Sequence, residues 1–154
     1  MKKIRTLVVS ALLIIVFIIA LNNFIYLPGF KNLSFDEIIT FDKEKISSIN
    51  IRNKGKEIHV TDPNIIDKVM SDFTKMEFSR RKFESDVKKS NSSGNKQKYF
   101  IELEDSNGDL IEMIYLSGNL FKIYGYSTEE TVVYEIVNNP ELEIHNVFTS
   151  ISVA

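Results

Sequence analysis

Hydrophobic positions are continuous at the start of this chain, periodic through most of it, and nearly absent in one central stretch. From 7 to 21 they run without a break, Ser10 being the only polar residue, and Lys2, Lys3 and Arg5 precede them. A helix rises about 1.5 Å per residue, so this run reaches about 22 Å, short of the roughly 30 Å of bilayer hydrocarbon. Phe24, Ile25, Tyr26 and Leu27 continue the apolar character past Asn22 and Asn23, with Tyr26 placed for the interface. The run lacks the polar face of a helix that lies on a soluble core. The pattern predicts a basic start at 1–5 and one transmembrane signal-anchor over 6–27. Cleavage as a signal peptide is the alternative, although a cut after Ala20 would put bulky Ile18 where a small residue is required. In both cases the basic start stays in the cytoplasm and the rest lies outside, since only Lys31 follows the span closely. The expected location is the cell membrane, with the C-terminal domain extracytoplasmic.

Pro28 and Gly29 break the helix within a linker at 28–33, and periodic patterning then defines a domain over 34–154. Ser34 with Glu37 three residues on is a capping box, predicting a short helix over 35–41. Ile49 and Ile51, the turn residues 53–56, then Ile58 and Val60 form a β-hairpin pattern. Asp62 before Pro63 is an N-cap with proline at the first helical position, and Ile65, Ile66, Val69, Met70 and Phe73 follow at helical spacing. A strand over 77–83 precedes a polar loop at 84–98. Strands over 99–104, 110–116, 120–126 and 131–137 form a meander whose short turns carry Asn107-Gly108 and Gly118. Asn139-Pro140 repeats the cap signal before a closing helix to about 150. Strands grouped apart from helices predict an α+β domain: a mainly antiparallel sheet, made of the N-terminal hairpin and a C-terminal meander of four to five strands, with helices packed on it.

Within the meander, Glu102, Glu112, Lys122 and Glu135 mark a polar face, leaving Ile101, Leu103, Ile111, Met113, Phe121, Ile123, Val132, Tyr134 and Ile136 for the core. Leu110, Ile114, Leu116, Tyr124 and Tyr126 then fall on the polar-marked side. They are expected either to be covered by a helix or to serve as a docking surface for a partner protein.

Composition narrows the chemistry. Cysteine is absent, which excludes disulfides, thiolate nucleophiles and thiolate metal sites. Beyond residue 30 there are 16 basic and 21 acidic residues, an acidity that argues against nucleic-acid binding. By region the balance is sharper: eight basic against three acidic residues over 75–98, and Lys122 alone against ten acidic residues over 99–154. Arg80, Arg81, Lys82, Lys88 and Lys89 are candidates for a salt-sensitive contact with anionic headgroups or a charged surface polymer, or else they balance the acidic sheet.

Catalytic signals are weak. His59 and His145 sit in no motif, and no serine lies in a nucleophile elbow. Glu102, Glu104, Asp105 and Asp109 gather near one turn without the downstream ligand pattern of an EF-hand. No catalytic residue, metal ligand or cofactor is expected.

The lysine-rich start with its apolar span, the Ile-x-Ile hairpin at 49–60, the Thr61-Asp62-Pro63 helix start and the Asn107-Gly108 turn resemble those of uncharacterised single-span proteins of low-GC Gram-positive bacteria. The resemblance implies an anchored extracytoplasmic domain and brings no site residues. The function expected is non-enzymatic binding of a protein or polymer at the cell surface. The alternatives are a self-protection protein that intercepts a toxin or peptide at the membrane, and a hydrolase or metal-dependent enzyme built on His59, His145 and carboxylates.

Overall fold

The structure, a computed structural model, describes residues 2–24, 31–87, 97–125, 131–138 and 140–152, with side chains of residues 10–21 only in the first stretch. It divides into two compact units that meet between Lys31 and Asn32. In the first, α1 (Lys2–Phe24) is a 23-residue helix. Its side chains from 10 to 21 are all exposed, although nearly all of them are large and apolar. Among the described residues no helix is long and apolar enough to cross a membrane. The span expected over 6–27 runs beyond what is described, because residues 25–30, with the interfacial Tyr26, lie outside it.

The second unit is α+β. Its hairpin forms where alternation and turn chemistry agree. Strands β1 (Ser48–Asn53) and β2 (Lys56–Val60) pair Ile49 with Val60 and Ile51 with Ile58. They join through Lys54 and Gly55, both at positive φ, 50° and 77°, as a two-residue hairpin turn requires. Helix α3 (Pro63–Thr74) starts as its sequence dictates, the Asp62 carboxylate accepting the Asn64 N–H at 2.9 Å, and it buries Ile66, Val69, Met70 and Phe73.

Five more strands follow: β3 (Phe78–Arg81), β4 (Lys98–Glu104), β5 (Leu110–Ser117), β6 (Leu120–Tyr124) and β7 (Thr131–Ile136). All seven make one antiparallel sheet in the order β2-β1-β4-β5-β6-β7-β3. The sheet therefore has more strands than either the expected hairpin or the expected meander, because non-local pairing fuses them into one. Strand β1 pairs with β4, Ile51 opposite Ile101, and the isolated strand β3 adds to β7 at the far edge, Phe78 opposite Ile136. Leu33 and Phe78 exchange two backbone hydrogen bonds of 2.8 Å, which occupies part of the β3 edge.

Helices α2 (Phe35–Ile38), α3 and α4 (Ile144–Ser152) contribute to one core with a single face of the sheet. Helix α2 is a single turn that stops before Phe41, yet Phe35 at its start is central. Its ring lies 5.1 Å from Phe73 and 6.3 Å from Phe121, and Phe121 lies 4.8 Å from Phe78. Such tilted and edge-to-face pairs add about 0.5–1.5 kcal/mol each beyond their burial. Helix α4 begins at Ile144, four residues after Pro140, and Asn139 lies outside the described residues. Its start is capped from α3 instead, the buried Asp72 carboxylate accepting the Ile144 N–H at 2.8 Å.

The phase of β5 is opposite to the one expected. Ile114 (0 % exposed) and Leu116 (3 %) lie in the core, opposite Ile101 and Tyr99 on β4, and Glu112 (4 %) takes the buried side opposite Leu103. Met113 turns outward, paired with Glu102 on one side and Tyr124 on the other. A register shift between Leu103 and Glu104 accompanies the change. Glu112 satisfies one carboxylate oxygen on the N–H of Met113 at 3.0 Å.

Candidate functional site

With the three domain helices on one face, the other face of the sheet presents aligned side chains from every strand. Successive pairings place Glu57, Arg52, Phe100, Tyr115, Lys122, Val133 and Arg81 in a single row across the sheet. Strands lie about 4.8 Å apart, so neighbours in such a row are within contact. The Phe100 and Tyr115 ring centroids are 4.8 Å apart. The Lys122 Nζ lies 4.8 Å from the Tyr115 centroid and 5.1 Å from that of Tyr124, between two rings whose electron-rich faces attract a cation. Phe100 is 40 % exposed, while Met113, Tyr115 and Tyr124 are half-buried. These four apolar side chains and one lysine form the aromatic middle of the outer face.

To one side of it the surface is closed. Segment 82–87 leaves edge strand β3 and reaches over β7, since the Glu84 carboxylate accepts a hydrogen bond from Lys122 Nζ at 2.8 Å, on the second strand inward. Arg81 and Glu135 form an ion pair on this side with side chains only 4 % and 6 % exposed, the Arg81 Nε donating at 2.8 Å. Burial opposes the charge of Lys122, but hydrogen bonds and charge from Glu84 and Tyr124 outweigh it and hold the ammonium above its ordinary pKa.

To the other side the outer face is polar and internally paired. Asn50 donates to Glu104 at 2.6 Å and its carbonyl oxygen lies 2.6 Å from His59 Nδ1; Ser48 donates to Glu104 at 2.8 Å, and Arg52 pairs with Glu102. Beyond Phe100, the β1–β2 turn and the start of β4 enclose a cleft of about 340 Å³ lined by Arg52, Asn53, Lys54, Lys56, Lys98 and Phe100, with Glu57 also on its wall.

A second polar group lies on the helix face. The buried Tyr99 hydroxyl donates to Gln97 at 2.5 Å and lies 3.0 Å from His145 Nδ1, and Asn53 donates to the same Gln97 oxygen at 2.9 Å. Burial pushes the Tyr99 phenol above its ordinary pKa, against a smaller opposing effect of Asn53.

The sequence-derived candidates are dispersed by this arrangement. Arg81 is buried in its ion pair, Arg80 is half-buried and holds an interaction of its own, Lys82 is exposed with its Nζ 5.7 Å from the Phe83 centroid, and Lys88 and Lys89 lie outside the described residues. Of the expected docking residues, Ile114 and Leu116 belong to the core, Leu110 is half-buried, Tyr124 is on the outer face, and Tyr126 lies outside the described residues. The outer face is carried by Phe100, which shares the outward phase of Glu102 on β4, and by Met113 and Tyr115, whose strand β5 has the phase opposite to the one expected. Their signal was present: Phe100 and Tyr115 alternate against the core residues Ile101 and Ile114.

His59 and His145 stand on opposite faces of the sheet, each with its own partners. Among the described residues no three His, Asp or Glu side chains are grouped to hold a metal ion. At the turn, Asp105 spends its carboxylate on the N–H groups of Asn107 at 2.8 Å and Asp109 at 3.0 Å, which hold its pKa below the ordinary value. Comparison with known protein families, with curated proteins and with solved structures finds no match for this chain.

Proposed function

We propose that this protein is a non-enzymatic binding domain, tethered to a membrane by its N-terminal apolar segment, which presents the outer face of its sheet to a protein or polymer outside the cytoplasm. The observation that carries the reading is the row Phe100, Tyr115, Lys122 with Met113 and Tyr124 beside it. A soluble domain gains by covering apolar side chains, and here large rings stay partly open on a rigid sheet although three helices are available and all pack on the other side. Aromatic side chains lose little conformational entropy on binding and bury large areas, which suits them to contact surfaces.

Tethering supplies the rest of the mechanism. A domain held at a surface meets surface-bound ligands at raised effective concentration, so modest intrinsic affinity suffices. Supporting the tether are the unbroken apolar run, the exposure of every described side chain from 10 to 21, and the basic residues before it.

Two measurements on the full chain in intact cells test the reading. Photo-crosslinking residues placed at Tyr115 and Tyr124 are expected to yield adducts that an identical residue at Asp67, on exposed α3, does not. Equal or absent yields at the sheet positions would overturn the contact surface. Because the chain has no cysteine, Asp67→Cys is expected to react with an impermeant thiol reagent before lysis, and labelling only after lysis would overturn the location.

A further inference from the structure

We infer that β2 is a self-association edge: two copies of this chain join β2 to β2, antiparallel, about a two-fold axis at Ile58, so that two seven-stranded sheets become one. The sheet ends in two edges, β2 and β3, and they are treated differently. Leu33 occupies part of the β3 edge through its two backbone hydrogen bonds with Phe78. Strand β2 has no such guard among the described residues. Its five residues pair with β1 in unbroken register and include neither proline nor bulge, the devices that keep an edge from adding another strand.

The turn decides which backbone groups face outward. A two-residue turn at Lys54 and Gly55 makes Asn53 and Lys56 a hydrogen-bonded pair, and such pairs alternate with non-bonded ones along an antiparallel ladder. Lys56, Ile58 and Val60 therefore direct their N–H and C=O groups to β1. Those of Glu57 and His59 point away from it, and among the described residues no hydrogen bond reaches them. The side chains of Ile58 and Val60 are already buried under the domain's own helices, so a second strand completes the ladder without rearranging the core.

Self-complementarity identifies the occupant as a second copy. With the axis at Ile58, Glu57 lies opposite the partner's His59 as a hydrogen-bonded pair, and symmetry repeats that pair on the other side of the axis. Both side chains are exposed on the outer face, so an acid stands opposite a base in each pair. The neighbouring symmetric registers centre on Glu57 or on His59 and set like against like. Opposed carboxylates are destabilising, which singles out the register at Ile58. The axis stands normal to the sheet and keeps both outer faces on one side, so the pair presents two aromatic rows to one ligand surface, and a ligand that engages both gains in effective concentration. Self-association through β2 does not depend on what those rows bind.

The test is sedimentation of the full chain in detergent over a range of concentrations, where a monomer–dimer equilibrium is expected. Glu57→Pro removes an outward N–H that only a second copy would use and leaves the ladder to β1 intact, so it is expected to weaken association about tenfold or more. Glu57→Lys/His59→Lys, which sets lysines against each other at exposed positions, should weaken it as well, whereas the swap Glu57→Lys/His59→Glu restores an acid opposite a base and should retain it. Amide exchange of β1 equal to wild type checks the fold of each variant. The register is read by disulfide formation: Glu57→Cys chains mixed with His59→Cys chains are expected to crosslink under mild oxidation, and either variant alone much less. A monomer at every concentration, a dimer indifferent to Glu57→Pro and to Glu57→Lys/His59→Lys, or crosslinking strongest for Glu57→Cys alone overturns the inference.

Discussion

The carboxylate of Asp72, fully buried at the end of α3, accepts the backbone N–H of Ile144 at 2.8 Å and so caps α4 from another helix. Its second oxygen accepts from Lys75 Nζ at 3.1 Å. The first N–H groups of a helix have no internal partner, and a negative group there also complements the helix dipole. Asp72→Ala is expected to lower stability by about 1–3 kcal/mol, the cost of a buried donor left unpaired. Amide exchange should accelerate first in α4, and protection there equal to wild type would refute the capping role.

The Arg81–Glu135 pair makes a different forecast, because both charges are out of water on the outer side of β3 and β7. Arg81→Met leaves Glu135 buried alone and is expected to cost about 3–5 kcal/mol, whereas Arg81→Met with Glu135→Leu recovers most of that loss. Urea unfolding of both variants decides the matter. A double variant as unstable as the single one would show that the pair is needed as such.

Acid stability has a local source in Asp105. Hydrogen bonds from Asn107 and Asp109 hold its folded pKa below the ordinary carboxylate value of about 3.9. Between those values the unfolded chain binds more protons, so this stabilisation is present above about pH 4 and is lost as pH falls through the folded value. Asp105→Asn is expected to flatten the decline of the unfolding midpoint between about pH 4 and 2.

Alkali acts through Tyr99 in the opposite sense. Its folded pKa lies above the ordinary phenol value of about 10, so its contribution is constant below that pH and is lost as pH rises toward the folded value. Lys122, also raised, adds to the same decline. Tyr99→Phe is expected to lose about 0.5–1.5 kcal/mol at neutral pH through its missing hydrogen bonds, and to show a shallower fall above about pH 10. An unaltered alkaline slope would assign the effect elsewhere.

Local chemistry was legible in the sequence wherever one signal had one meaning. Asp62 with Pro63 placed the start of α3, and the turn at Lys54 and Gly55 joined two strands whose alternation fixed their inward faces. Segments with two permissible phases were not legible. Strand β5 is apolar on both faces, so a single charge, Glu112, was taken to mark its outer side, while the turn at 105–109 and the shift at Leu103 set the opposite register. Arg81 posed the same difficulty: its position in a basic run suggested solvent, and only the pairing of β3 with β7 brings Glu135 beside it. The cleft depends on the pairing of β1 with β4, strands far apart in the chain, which no local pattern encodes, whereas the aromatic row lies on the consecutive strands β4, β5 and β6 and was obscured only by the phase of β5.

The two backbone hydrogen bonds between Leu33 and Phe78 also determine where mechanical load enters the domain. They lie immediately after the boundary at Lys31 and Asn32, together with the Asn32 side chain's bond to Glu77 at 2.9 Å. A pull on the chain from its N-terminal side reaches the sheet through these few bonds before it reaches any other strand pairing. They can yield singly while the six strand pairings behind them hold, so tension applied from the N-terminal side is absorbed at the rim and the aromatic row keeps its shape under strain.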